Sequence, residues 1–161
     1  MTYKIAVQMD PLDAIDITGD TSFALALEAQ NRGSSLWYYH PDDLYLEGGG
    51  IKAICQTMSL RDVKGEHVTL GPREERALSD MDVILMRQDP PFDMAYITAT
   101  HLLEMLPAHT MVINNPHEVR NAPEKLLVTL FSELMPPTLI SRNSDVIQRF
   151  RSQHKDIIIR S

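Results

Sequence analysis

At 161 residues the chain can bury one good core with part of a second unit, and its hydrophobic and charged shares, 43% and 23%, exclude a disordered or fibrous polymer. A formal net charge of −7 leaves no basic stripe to neutralise phosphates, which argues against a general nucleic-acid binder and favours small-molecule work. No apolar run approaches membrane-spanning length, the N-terminus lacks a basic-then-apolar leader, and the single cysteine, Cys55, cannot close an internal disulfide, so a cytoplasmic location is expected.

Lys4–Met9 predicts a first strand, stopped by Asp10 and Pro11. After a polar stretch, Asp20, Thr21 and Ser22 offer N-caps for a helix to about Arg32, closed by Gly33. Strand, loop and helix make the opening half of a βαβ unit, with the aromatic-rich Leu36–His40 as its second strand. Between Asp42 and Gly71 the pattern shortens. Leu44–Leu46, a turn at Gly48–Gly50, Ile51–Leu60 and His67–Leu70 predict an antiparallel hairpin or meander inserted at the sheet edge. No helix pattern follows Gly50, so these glycines make a turn rather than a phosphate cradle.

Val83–Met86 is apolar throughout, as a strand covered on both faces is, and it ends abruptly in Arg87, Asp89, Pro90 and Pro91. The two prolines fix φ and donate no N–H, which gives a stiff extended exit. Asp93 can cap a helix to about Met105, and Met111–Ile113 predicts a further buried strand ending in Asn114, Asn115 and Pro116. In a parallel sheet the three polar endings at Asp10, Arg87 and Asn114 converge on one edge. Past Arg120 the order resets. A helix from Glu124 to about Leu134, a break at Pro136 and Pro137, a strand at Thr138–Ile140, a helix over Ser144–His154 and a last strand at Asp156–Arg160 follow. This last piece is about the smallest that folds unaided and reads as the front of a longer domain.

The expected class is therefore α/β. A mostly parallel sheet flanked by helices, with the antiparallel insertion, occupies residues 1–120, and a partial α+β subdomain occupies 121–161.

In open α/β sheets, ligands bind beyond the carboxyl ends of the strands. There Asp10 suits an ammonium group, the free N–H groups of the helix opening at Thr21 and Ser22 suit a carboxylate, and Arg87 can grip a carboxylate bidentately. With Asp89 beside Arg87, these residues outline a pocket for something zwitterionic and peptide-like. The plainer alternative is a polar loop in which Arg87 and Asp89 pair with each other. No metal site is expected. Asp10, Asp13, Asp16 and Asp20 do not recur at the alternate positions of a calcium loop, His101 and Glu104 lack a second such pair, and His109, His117 and His154 show no ligand spacing. Cys55 has no evident base and no serine sits in a nucleophile elbow, so covalent catalysis has no support. Lys125, in the first turn of a helix, opposes the dipole there, which hints at a compensating ligand anion.

Val7–Pro11, Asp20–Gln30, Asp43–Leu46, the run Asp82–Asp93 with its Met-Arg-Gln-Asp-Pro-Pro-Phe-Asp core, Val112–Pro116 and Asn121–Leu126 together closely resemble the amino-terminal part of the prokaryotic glutathione synthetase family. The resemblance covers essentially the whole chain in order. It implies a Rossmann-like pre-ATP-grasp domain to about Arg120, then the beginning of an ATP-grasp domain. It further implies an ATP- and Mg2+-dependent ligase that joins γ-glutamylcysteine to glycine through an acyl phosphate, and a homo-oligomer acting on these small molecules without nucleic acid or membrane. Carried over by position, Lys125 becomes an ATP-phosphate lysine, and Asp10, Ser22, Arg87 and Asp89 border the peptide side. Where the family has Lys-Pro and a glycine-rich ATP loop, this chain has Arg160 and Ser161, so the chain alone is expected to be inactive. A stand-alone, non-catalytic module that binds γ-glutamyl peptides is the alternative.

Overall fold

In chain order the elements are β1 Lys4–Gln8, α1 Thr21–Asn31, β2 Ser35–Tyr39, β3 Leu44–Glu47, β4 Gly50–Leu60, β5 Val68–Leu70, β6 Glu74–Ala77, β7 Val83–Met86, α2 Met94–Glu104, β8 Met111–Ile113, α3 Pro116–Asn121, α4 Glu124–Leu127 and α5 Ser144–His154. They come from a computed structural model that describes residues 2–13 and 15–160. The chain divides into two units, residues 1–122 and 123–161.

In the first unit the sheet runs β3-β4-β2-β1-β7-β8, with β5 and β6 also paired to β4. Strand β1 lies between β2 and β7, parallel to both, and β8 continues parallel to β7. Alternation along β1 and β7 feeds two cores, one on each face. Ile5, Val7 and Leu85 join Leu36 of β2 and Phe23 and Ala26 of α1 on one face. Ala6, Ile84 and Met86 join Tyr39 and Leu103 of α2 on the other. Helices α1 and α2 thus leave neighbouring strands for opposite faces, and their return strands, β2 and β8, lie on opposite sides of the β1–β7 pair. This is a topological switch point, the place where open α/β sheets leave a crevice at the carboxyl ends of their strands.

Local chemistry sets the helix ends facing that crevice. The Asp20 carboxylate accepts the Phe23 N–H at 2.7 Å and caps α1, whose far end closes with Gly33 at φ +87°. Asp93 caps α2 in the same way, accepting the Tyr96 N–H at 3.0 Å. Both helices begin where the sequence places them.

The expectation of a mostly parallel sheet holds for β2-β1-β7-β8 and not for the whole. All pairings of β4, with β2, β3, β5 and β6, are antiparallel, so the sheet is mixed. The insertion is larger than the sequence suggests because Glu74–Ala77 forms a strand despite lacking apolar alternation. Its backbone pairs with β4, Lys52 Nζ donates to Glu75 Oε1 at 2.9 Å, and Arg76 lies 4.6 Å over the Trp37 ring. Helix α3 also goes beyond the sequence reading. Asn115 caps it through the His117 and Glu118 N–H groups, and Pro116 occupies its first turn.

In the second unit, the helix expected to about Leu134 is α only to Leu127 and continues as a 3₁₀ stretch, Val128–Leu134, broken at Phe131 (φ −116°, ψ 46°). Helix α5 forms as expected, capped by Asn143. Thr138–Ile140 and Asp156–Arg160 are not strands, because neither has a ladder partner among the described residues. Leu130, Leu134, Ile158 and Ile159 are all more than 70% exposed, so this unit buries little of its own apolar surface. No helix among the described residues is long and apolar enough to cross a membrane.

Candidate functional site

Arg87, the first residue past β7, turns its guanidinium to the opening turn of α1. Its Nε donates to Ser22 Oγ at 2.9 Å and its Nη2 to Thr21 Oγ1 at 2.8 Å. Ser22 is buried and Arg87 half-buried, so the cation is held at the helix N-terminus, where the dipole does not favour it. Such a cation, with neutral hydroxyls as its partners, still has its charge to satisfy, and an incoming carboxylate would supply what they cannot.

One strand over, Asp10 accepts the Asp89 N–H at 2.6 Å through Oδ2, while the Arg87 N–H donates to the Gln8 carbonyl at 2.8 Å. The ends of β1 and β7 are thereby laced together, and Asp10, Arg87 and Asp89 share one end of the sheet. Arg87 and Asp89 do not form an ion pair with each other: each is tied to β1 or α1 instead. Gln8 adds a buried tie, accepting from the Tyr39 hydroxyl at 2.9 Å and donating through Nε2 to Gln88 Oε1.

Two phenols report the field around this crevice. Burial pushes the Tyr96 hydroxyl above its ordinary value; Arg87 pulls it down and Asp89 pushes it up. Burial likewise raises Tyr38, with Asp43, Asp10 and Asp13 adding to the rise. Tyr96 packs against Phe92, ring centres 5.0 Å apart, just past Pro90 and Pro91. Both phenols therefore stay protonated at neutral pH and can donate hydrogen bonds.

The structure brings together Asp10, Ser22, Arg87 and Asp89, and it places Asn114 at the end of β8, beside β7, on the same edge. Lys125 lies in α4, within the second unit. Two of the other loop acids have local work. Asp20 caps α1, and Asp16 accepts the Thr18 hydroxyl and N–H, which holds its carboxyl below the usual range. His101 and Glu104 belong to a surface cluster in which Arg120 Nη2 donates to Glu104 at 2.7 Å, with His117 at 3.5 Å and His101 at 4.0 Å. Among the described residues no group of three or more His, Cys, Asp or Glu could hold a metal ion. Sequence reasoning missed the Thr21 hydroxyl as a partner of Arg87 and missed Gln8 altogether. Gln8 carried no spacing signal, being one amide within the apolar run Ile5–Met9.

Residues 3–120 match the family model of the prokaryotic glutathione synthetase N-terminal domain, and residues 124–161 match that of its ATP-grasp domain. The chain is 54% identical to the glutathione synthetase of Rhodopseudomonas palustris over 160 residues, 99% of this chain and 51% of that protein. It is 53% identical to that of Brucella melitensis biotype 1 over the same shares, and 43% identical to that of Yersinia pestis over 98% and 50%. The chain spans about half the length of the curated relatives it matches.

Proposed function

The chain belongs to the prokaryotic glutathione synthetase family, and from that premise we propose that its switch-point crevice is the peptide side of an ATP-dependent ligase that joins γ-glutamylcysteine to glycine. On this reading residues 1–120 are the family's Rossmann-like pre-ATP-grasp domain and 121–161 open its ATP-grasp domain. Arg87 takes a carboxylate of the peptide, steadied by Ser22, and Asp10 and Asp89 take its ammonium group. Lys125 meets the ATP phosphates. In the whole protein ATP phosphorylates the acceptor carboxylate, and the glycine amine displaces phosphate to form the new amide. Magnesium would attend the ATP phosphates; the described residues do not assemble a ligand set for it, so no step here runs through it. We further propose a cytoplasmic homo-oligomer as the working form.

The observation that carries the reading is the lacing of Arg87 to Ser22 and of Asp89 to Asp10 at adjacent strand ends. Titration calorimetry of the 161-residue chain with γ-glutamylcysteine and, separately, ATP tests it. Binding of the peptide, lost in Arg87→Ala, supports the site, and absence of turnover by the same sample supports the division of labour between the chain's two units and the rest of the ligase. Failure to bind the peptide would remove the basis for the assignment, whereas peptide binding with no catalytic contribution in the whole protein would favour a plain binding module.

A further inference from the structure

We propose that Gln8 is a positioning residue that holds the 87–89 segment in its ligand-ready shape through Gln88, and so sets the peptide affinity of the crevice; this rests on the peptide-binding reading above. Gln8 is completely buried, at the last position of β1, on the face that carries Ala6, Tyr39, Ile84 and Met86. A primary amide costs free energy there unless its polar atoms are satisfied, and an apolar side chain would fill the same space without that demand.

Both ends of the amide are used. Its oxygen accepts the hydroxyl of Tyr39, itself fully buried and directly opposite Gln8 in the β1–β2 ladder. Its nitrogen donates to the side-chain oxygen of Gln88, the residue between Arg87 and Asp89. The anchor is thus rooted in the core and reaches out to the segment that supplies both Arg87 and Asp89.

The three residues of this segment are each tied to the end of β1 by a different bond. Arg87 is held by its backbone N–H to the Gln8 carbonyl, Gln88 by its side chain to the Gln8 amide, and Asp89 by its N–H to the Asp10 carboxylate. Pro90 and Pro91 follow and donate nothing, so no further ladder bond steadies the exit. Losing the middle tie leaves Gln88 free to swing to solvent and loosens the spacing between the groups meant for the ligand's opposite charges. Gln8 never needs to touch the ligand.

The experiment compares the 161-residue chain with its Gln8→Met, Gln88→Ala and doubly substituted variants, by calorimetry with γ-glutamylcysteine and by amide hydrogen exchange. Gln8→Met and Gln88→Ala are each expected to weaken the peptide roughly tenfold, and the double variant no further than Gln8→Met alone, because Gln88→Ala cuts a link that Gln8→Met has already removed. In the exchange experiment, the Asp89 amide should lose protection in both single variants while α1 amides keep theirs. Gln88→Glu, which retains an acceptor for the Gln8 amide, should keep the Asp89 protection. A wild-type chain that binds the peptide alongside variants that bind it equally well would overturn the inference and leave the functional reading intact. A wild-type chain that does not bind would sink the functional reading. The exchange arm then decides alone, with unchanged Asp89 protection overturning the positioning role. Should Gln8→Met fail to fold, the half-buried Gln88 supplies the same two readouts.

Discussion

Arg87 Nε donates to Ser22 Oγ at 2.9 Å, which fastens the end of β7 to the first turn of α1 across the middle of the sheet. The bond joins residues 65 positions apart and orients a guanidinium whose other arm reaches Thr21. Arg87→Lys keeps the charge and loses the fork. Peptide affinity measured by calorimetry is expected to fall at least roughly tenfold, while stability in urea shifts by no more than about 1 kcal/mol at this half-buried site.

Asp10 accepts the Asp89 N–H and offers a negative charge beside it. Asp10→Asn retains an acceptor oxygen and removes the charge. The melting temperature is expected to move by no more than about 1 °C, well under 1 kcal/mol, while peptide affinity falls roughly tenfold, about 1.4 kcal/mol. A loss of stability as large as the loss of binding would mark Asp10 as a brace instead.

Cys55 is fully buried, and burial pushes its thiol from the ordinary 9.0 up to about 12. The folded chain should resist iodoacetamide near pH 8 (about the pH where a free thiol already reacts) and become reactive only on unfolding. Linkage adds a second readout. The unfolded chain releases this proton as pH passes 9.0 and the folded chain retains it to about 12, so the stabilisation is complete below 9.0 and declines as pH rises through that window. Cys55→Ala should lessen the decline in urea midpoints.

The Arg120 hydrogen bond holds the Glu104 carboxyl below its ordinary 4.5, with His117 and His101 adding to the effect. A depressed carboxylate stabilises the fold above its unfolded value and ceases to do so as pH falls through the folded one. Thermal melts between neutral pH and about pH 3 should therefore fall less steeply for Glu104→Gln than for the unmodified chain. Equal slopes would show that the α2–α3 cluster contributes nothing measurable, as many exposed pairs do.

Helix α1, β7 and the meeting of Asp10 with Asp89 at one end of the sheet could be read from the chain because their signals are local: Asp20 and Gly33 bracket α1, and Arg87 follows an unbroken apolar run. Strand β6 could not, since Glu74–Ala77 forms through pairing with β4 rather than through its own pattern. The two supposed strands at 138–140 and 156–160 fail for the converse reason, an apolar run without a ladder to join. Gln8 was hidden because one amide in an apolar strand carries no spacing, and only the fold brings Tyr39 and Gln88 to it.

Strand β4 carries four ladders, and its hairpin with β3 ends at Gly48 and Gly49, both at positive φ with open space around them. The register of that hairpin is fixed below the tip, from Leu44 opposite Ala53 to Glu47 opposite Gly50. A short epitope or fluorophore-binding peptide spliced between the two glycines therefore has somewhere to go without disturbing any rung of the β3–β4 ladder, and it gives a handle that projects past the carboxyl edge of β2.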